Sequence, residues 1–288
     1  MVKGVVMEIR SKMEKGIKQK YFLLLPFYFF LITDYADSEN WVNTLPKPWE
    51  LSEEEVSEIL PQFHDHFPDF HDRLKAFALW QVGKPYVIFK LGEEVAPDPD
   101  PIIRLDVSDC TAHVLTSLAF SQSKSWVEAR EKMIDIHYKD GKPSYKTRWH
   151  YTSDRIQENP YTVNISKELT EKLELVDITL NRKADGSEFL DLNWEKKTTV
   201  SYIPSEWITE GLLKSLPEVC GVAFVKKEWM KMGLIIAHEG MVIDQKNLIH
   251  ASSEYGETVN VDFMEYYFRQ DGPLFDGVMI YGFNPIPS

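Results

Sequence analysis

The chain has only two cysteines, Cys110 and Cys220, among its 288 residues. Two thiols cannot build a disulfide framework, and without a C-x-x-C pair there is no cysteine-based zinc motif. Glycine (14) and proline (16) are too sparse for a fibrous or low-complexity chain. Basic side chains are in deficit, 32 against 45 acidic ones, for a formal net charge of −13. That sign repels phosphate backbones, so nucleic acid is not an expected partner. Long apolar runs are missing too. The apolar stretch Tyr21 to Ile32 has twelve residues, short of the roughly 20 that a spanning helix needs. There is no internal repeat. Aromatic surface is plentiful: 8 Trp, 13 Tyr and 16 Phe, with 43% hydrophobic residues overall, supply a full core.

The amino terminus departs from these averages. Residues 1–20 hold six basic side chains against Glu8 and Glu14, a local charge of +4, which leaves −17 for the rest. The apolar run follows directly. A basic region, an apolar region and the small residues Ala36 and Ser38 before Glu39 suit a secretory signal over residues 1–38. A start at Met13 would give the basic region a more usual length. The competing reading is a core or interfacial helix. Export would place the protein outside the cytoplasm, periplasmic or secreted, with no stable membrane span in the mature chain.

Residues 39–80 read as a helical extension. Ser52 followed by Glu53, Glu54 and Glu55 is a helix start, and Arg73 to Trp80 is a second helix ending near Gly83. Val95 to Pro101, with three prolines, is a loop. Further helices are predicted from Ser108 or Asp109 and over Trp126 to Ile136. From about residue 161 the pattern turns to strands: DITLNR, FLDLNW, TTVSYIP, VAFVKK, LIIAHEGMVID and NLIHASS. Asp185-Gly186 is a hairpin turn signal. Helices first and strands later predict an α+β fold, helices packed on an antiparallel sheet. Residues 81–288 would form the main domain.

Cys110 stands at a predicted helix start, where Ser108 or Asp109 can act as N-cap. Unpaired backbone N–H groups and the helix dipole there favour thiolate over thiol, as a nucleophile requires. A base is also needed. His238 lies in the run Leu234 to Asp244, and His250 in the strand after it. Parity decides whether they meet. An even two-residue turn puts them on opposite faces of the sheet. An odd loop centred on Gln245 sets His250 opposite Gly240 and diagonal to His238, on one face. In that case His238 can serve as base and His250 can orient it.

The order Gly83-Lys84-Pro85-Tyr86, Asp109-Cys110, His238-Glu239-Gly240 and Leu248-Ile249-His250-Ala251-Ser252 resembles the NlpC-type, papain-like cell-wall cysteine hydrolases. It is more closely similar to their N-acetylmuramoyl-L-alanine amidase-like branch. Asp109-Cys110-Thr111, Ile136 to Gly141, Arg148-Trp149-His150-Tyr151, Tyr202-Ile203-Pro204 and the run from His250 to Ser253 carry that closer likeness, which covers about residues 80–283. The resemblance implies a papain-like fold, the nucleophile's helix packed on the histidine-bearing sheet. It also implies hydrolysis of the amide between N-acetylmuramic acid, in anhydro form, and L-alanine in peptidoglycan fragments. Cys110 would attack and form an acyl-enzyme, His238 would carry the proton, and His250 would orient His238. Tyr86 would lie at the site edge. Asp109, Arg148, His150, Tyr151 and Ser252 complete the candidate substrate contacts, Arg148 as a cation for stem-peptide carboxylates. No metal or organic cofactor is implied. Cleavage within the stem peptide, or binding of wall fragments without catalysis, are the alternative readings.

This chain also departs from the branch. Thr111 is followed by Ala112, His113, Val114 and Leu115 where the branch usually has phenylalanine, valine and glutamate, so a contact beside the cysteine is lost. Ile235 replaces an aspartate, and His238-Glu239-Gly240 stands for H-V-G. Two rival signals remain. The stretch His64-Asp65-His66 with Asp69, His71 and Asp72 has metal-like composition at no known ligand spacing. Cys220 reads as a buried apolar thiol, though in an exported protein a Cys110–Cys220 disulfide would abolish the nucleophile.

Overall fold

The computed structural model describes residues 39–286. The segment read as a secretory signal, residues 1–38, lies outside the described residues. The chain divides into two units, 1–45 and 46–288. Of the first, the described part is a helical turn in which the Thr44 hydroxyl donates to the Trp41 carbonyl at 2.6 Å.

The second unit opens with helices that local chemistry starts. Helix α1 (Glu53–His66) begins in a capping box: Ser52 Oγ accepts from Glu55 N–H, and the Glu55 carboxylate accepts from Ser52 N–H. Asp69 caps α2 (Phe70–Trp80), Asp109 caps α3 (Cys110–Phe120) and Ser125 caps α4 (Trp126–His137). A short α5 (Thr152–Glu158) follows. Their apolar faces share one aromatic core: Phe63 stacks on Phe77 at 3.9 Å, and Trp80 and Phe120 pack around that pair. Helices α1 and α2 are therefore part of the same unit as α3.

Among the described residues ten strands follow: β1 (Thr162–Asn164), β2 (Glu174–Leu180), β3 (Lys196–Pro204), β4 (Val219–Val225), β5 (Ile236–Ile243), β6 (Asn247–Ser252), β7 (Glu257–Asp262), β8 (Phe268–Arg269), β9 (Gly272–Pro273) and β10 (Gly277–Phe283). The main sheet runs β2-β3-β10-β4-β5-β6-β7, with β1 also on β10, and every pairing is antiparallel. One face buries a cluster that includes Val222, Phe224, Val242, Leu248, Phe263 and Ile280. The mixed helix and antiparallel-sheet architecture is the α+β class the sequence order predicts. Among the described residues no helix is long and apolar enough to cross a membrane.

Two strand expectations need correction. FLDLNW forms no strand, because Asn181 gathers it: the Asn181 carbonyl accepts from Phe189 N–H, and its side-chain oxygen accepts from Leu190 N–H at 2.7 Å. Strand β10 was not expected, yet it sits between β3 and β4. Its residues are buried on both faces apart from Gly282, so it reads as a continuous apolar run without alternation.

Candidate active site

The turn between β5 and β6 sets the geometry. Ile243 pairs with Asn247 and Met241 with Ile249, leaving the three residues Asp244, Gln245 and Lys246 in the loop. Asp244 (φ 53°) and Gln245 (φ 57°) take left-handed backbone there. This is the odd turn that parity demands. His250 falls opposite Gly240, and a Cβ on Gly240 would stand 2.9 Å from both the His250 Cβ and the Ile249 carbonyl. The missing side chain makes room for His250 to reach its neighbour. His238 Nε2 and His250 Nδ1 are 2.8 Å apart, their rings nearly perpendicular. Phe224 stacks on His238, and Tyr266 lies 4.5 Å from the His250 ring. Neither aromatic contact was anticipated.

Cys110 occupies the first position of α3, partly exposed. Asp109 holds the approach on both sides: Oδ1 accepts from Ala112 N–H at 2.8 Å and Oδ2 from Phe89 N–H at 2.9 Å. The Gly83-Lys84-Pro85-Tyr86 segment is pinned beside it. Tyr86 N–H donates to the Gly256 carbonyl, Thr258 N–H to Lys84 and Ser108 N–H to Pro85. Burial raises the Tyr86 phenol pKa, and the nearby charges of Cys110 and Asp109 add to the rise. Cys220 is buried in β4, and both cysteines are free, so the rival disulfide is not formed.

The thiol behaves differently from the sequence expectation. Burial, then the negative charges of Asp109 and Glu239, push Cys110 up to about 12. Hydrogen bonding from the Glu239 backbone and Thr111 pulls the other way and loses. The helix start alone would favour thiolate, but the capping carboxylate that creates that start also opposes it. Burial pushes His238 down to about 4, only partly offset by Glu239. His250 is lowered as well, by burial and then by His238 and His113. At neutral pH Cys110 is a thiol, and His238 and His250 are neutral imidazoles. His113, the departure in α3, is fully buried and pushed down to about 3 by burial, then by the charges of Lys84 and His238.

The other candidate contacts are tied up elsewhere. Arg148 is no free cation: its Nε donates to Glu93 at 2.6 Å and its Nη2 to Asp98 at 2.8 Å. Tyr151 is buried, with its hydroxyl donating to Asn181. His150 Nε2 donates to the Tyr145 carbonyl at 2.6 Å. The Ser252 hydroxyl accepts from the Glu254 and Tyr255 backbones, closing a turn. His64, from the metal-like stretch, donates to the Ser123 carbonyl at 3.0 Å.

One group of residues escaped the sequence reading. The carboxylate of Glu239, 1% exposed, accepts from Thr111, Thr152, Tyr281 and Arg155. Only the position of Thr111 directly after the cysteine hinted at it.

A profile of N-acetylmuramoyl-L-alanine amidase-like (AmiA-like) proteins matches residues 76–273. The chain belongs to that family. The amidase-like match contains Cys110, His238, His250 and Glu239, but not α1 or Tyr281. A Legionella pneumophila protein superposes with a TM-score of 0.68 at 22% identity, over 81% of this chain and 95% of its own. An N-acetylmuramoyl-L-alanine amidase from Bacteroides uniformis gives 0.56 at 20% identity, over 73% and 98%. At such identities these likenesses establish the fold of this amidase-like protein and leave its chemistry to the site. No curated protein sequence matches the chain.

Proposed function

We propose that the protein is a cysteine amidase that cuts between N-acetylmuramic acid, in anhydro form, and L-alanine in peptidoglycan fragments. The observation that carries this reading is the His238 Nε2–His250 Nδ1 contact at 2.8 Å, on the strand whose next residue, Glu239, is hydrogen-bonded to the Thr111 that follows Cys110. In the productive tautomer His238 Nε2–H donates to His250 Nδ1. That leaves His238 Nδ1 unprotonated, able to accept the thiol proton.

Cys110 Sγ attacks the lactyl carbonyl as its proton passes to His238 Nδ1. The Cys110 backbone N–H, at the first helical position and without an intrahelical acceptor, faces the developing oxyanion. His238 returns the proton to the departing L-alanine nitrogen, the C–N bond breaks, and a thioester remains. Water, deprotonated by His238, then releases the muramoyl acid and regenerates the thiol. Neutral reactants suit this sequence, because no thiolate need be stored in the empty site. Tyr86 stands at the edge of the cleft. Arg148, Tyr151 and Ser252 serve the frame instead, held by the partners described above. The working place is extracytoplasmic, with residues 1–38 as the signal. The acidic body is unlike a protein held to an anionic wall by charge, so binding falls to the pocket.

Mass spectrometry of products from defined anhydro-muropeptides tests the reading. Wild-type protein is expected to release free anhydro-muramic sugar and a peptide beginning with L-alanine, and Cys110→Ala neither. Products cut within the stem peptide would show the endopeptidase alternative. Equal turnover by Cys110→Ala would reject the cysteine mechanism.

A further inference from the structure

We propose that Glu239 is a positioning residue of this centre, latching the nucleophile's helix to the base's strand through Thr111. The proposal rests on reading Cys110 as nucleophile and His238 as base. Thr111 follows Cys110 and Glu239 follows His238, and the two followers are bonded directly: Thr111 Oγ1 donates to Glu239 Oε1 at 2.6 Å. The residues next to the two reacting groups are thus one hydrogen bond apart.

The other donors leave that carboxylate no slack. Thr152 of α5 gives a second hydrogen bond to Oε1 at 3.1 Å. Tyr281 of β10 donates to Oε2 at 2.8 Å, and Arg155 of α5 pairs with the same oxygen. Tyr281 reaches it by lying across Gly221, where a Cβ would come 2.1 Å from the ring. Each oxygen accepts two hydrogen bonds, the four donors coming from three separate elements, and the carboxylate itself is 1% exposed. A group fixed in this way transmits position: a displacement of α3 against β5 must break a buried charge-assisted bond.

A merely stabilising ion pair would have the same appearance, and Thr111→Val separates the two. It keeps the volume, leaves Arg155–Glu239 intact and removes the hydroxyl that latches Glu239 and helps to lower the Cys110 pKa. Its kcat on an anhydro-muropeptide is expected to fall about 10–100-fold with KM within about twofold, and Thr111→Ser to restore most of the loss. Alkylation of Cys110 by iodoacetamide at pH 8, followed by peptide mass mapping, should slow by roughly fivefold or more. The hydroxyl that ties α3 to β5 is then gone, so the sulfur is less well placed to ionise and react. Thr152→Val removes a donor from the same oxygen without touching α3, and should change either rate by less than about twofold. A Thr111→Val protein that turns over and alkylates like wild type, losing only thermal stability, would overturn the latch. So would equal slowing by Thr152→Val, which would mark a purely electrostatic effect. If wild-type protein cleaves no muropeptide, the proposed activity fails while the alkylation comparison still judges the latch.

Discussion

His238 and Glu239 are neighbours on β5 whose side chains leave on opposite faces of the strand, into two very different environments. His238 enters an aromatic setting of Phe224 and Tyr266, with a neutral imidazole as its polar partner. Glu239 enters a sealed polar setting with a guanidinium and three hydroxyls. Burial acts on both faces with opposite consequences. A lone imidazole with a neutral partner loses its proton, because nothing repays desolvation of the charge. The Glu239 carboxylate is held in place instead by Arg155 and three hydroxyls. One face of the strand therefore holds a group free to take up a proton, and the other a group fixed in place.

That division can be broken by substitution. The largest effect is expected from His238→Ala, a loss of about 10³–10⁴ in kcat, the scale of a general base. Loss of a ring stacked on Phe224 and bonded to His250 should also cost roughly 1–3 kcal/mol in urea unfolding, and a folded His238→Ala protein that keeps wild-type kcat would refute the assignment of this face to chemistry. Next comes Glu239→Ala. It strands a fully buried Arg155, whose Nε and Nη1 already have no partner. Equilibrium unfolding should show a destabilisation of about 3–5 kcal/mol. A change under about 1 kcal/mol would mean that water reaches the cluster. Gly240→Ala is the smallest and sharpens the boundary. Its methyl group meets His250 and the Ile249 carbonyl at 2.9 Å, for about 1–3 kcal/mol. It should also lower kcat by pushing His250 from His238. Loss of stability alone would show that His250 is not needed as orienter.

Much of the histidine-bearing face was legible in the sequence, because short-range rules govern it. Asp109 as N-cap puts Cys110 at a helix start by local chemistry. Strand parity left one geometry in which His238 and His250 could meet, and the three-residue turn supplies it. The fixed face was not legible. Thr111, Thr152, Arg155 and Tyr281 are brought to Glu239 only by tertiary packing, from as far away as 128 residues in sequence. The same blindness hid the setting of Arg148: its partners Glu93 and Asp98 come from a loop some 50 residues earlier, and no local pattern reveals them. The thiol's protonation went the same way. Helix position was visible, but the burial that outweighs it was not.

The central claim is that His238 rests neutral, with Nε2–H given to His250 and Nδ1 bare. Nitrogen-15 NMR of histidine-labelled protein reports ring tautomer and titration together, without substrate. A pKa lowered by burial means that His238 is neutral above it and becomes protonated only as the pH falls through about 4. The expected spectrum at pH 7 is a neutral ring with its proton on Nε2, unchanged until the pH drops below about 5. A ring protonated on both nitrogens at pH 7, or carrying its proton on Nδ1, would contradict it.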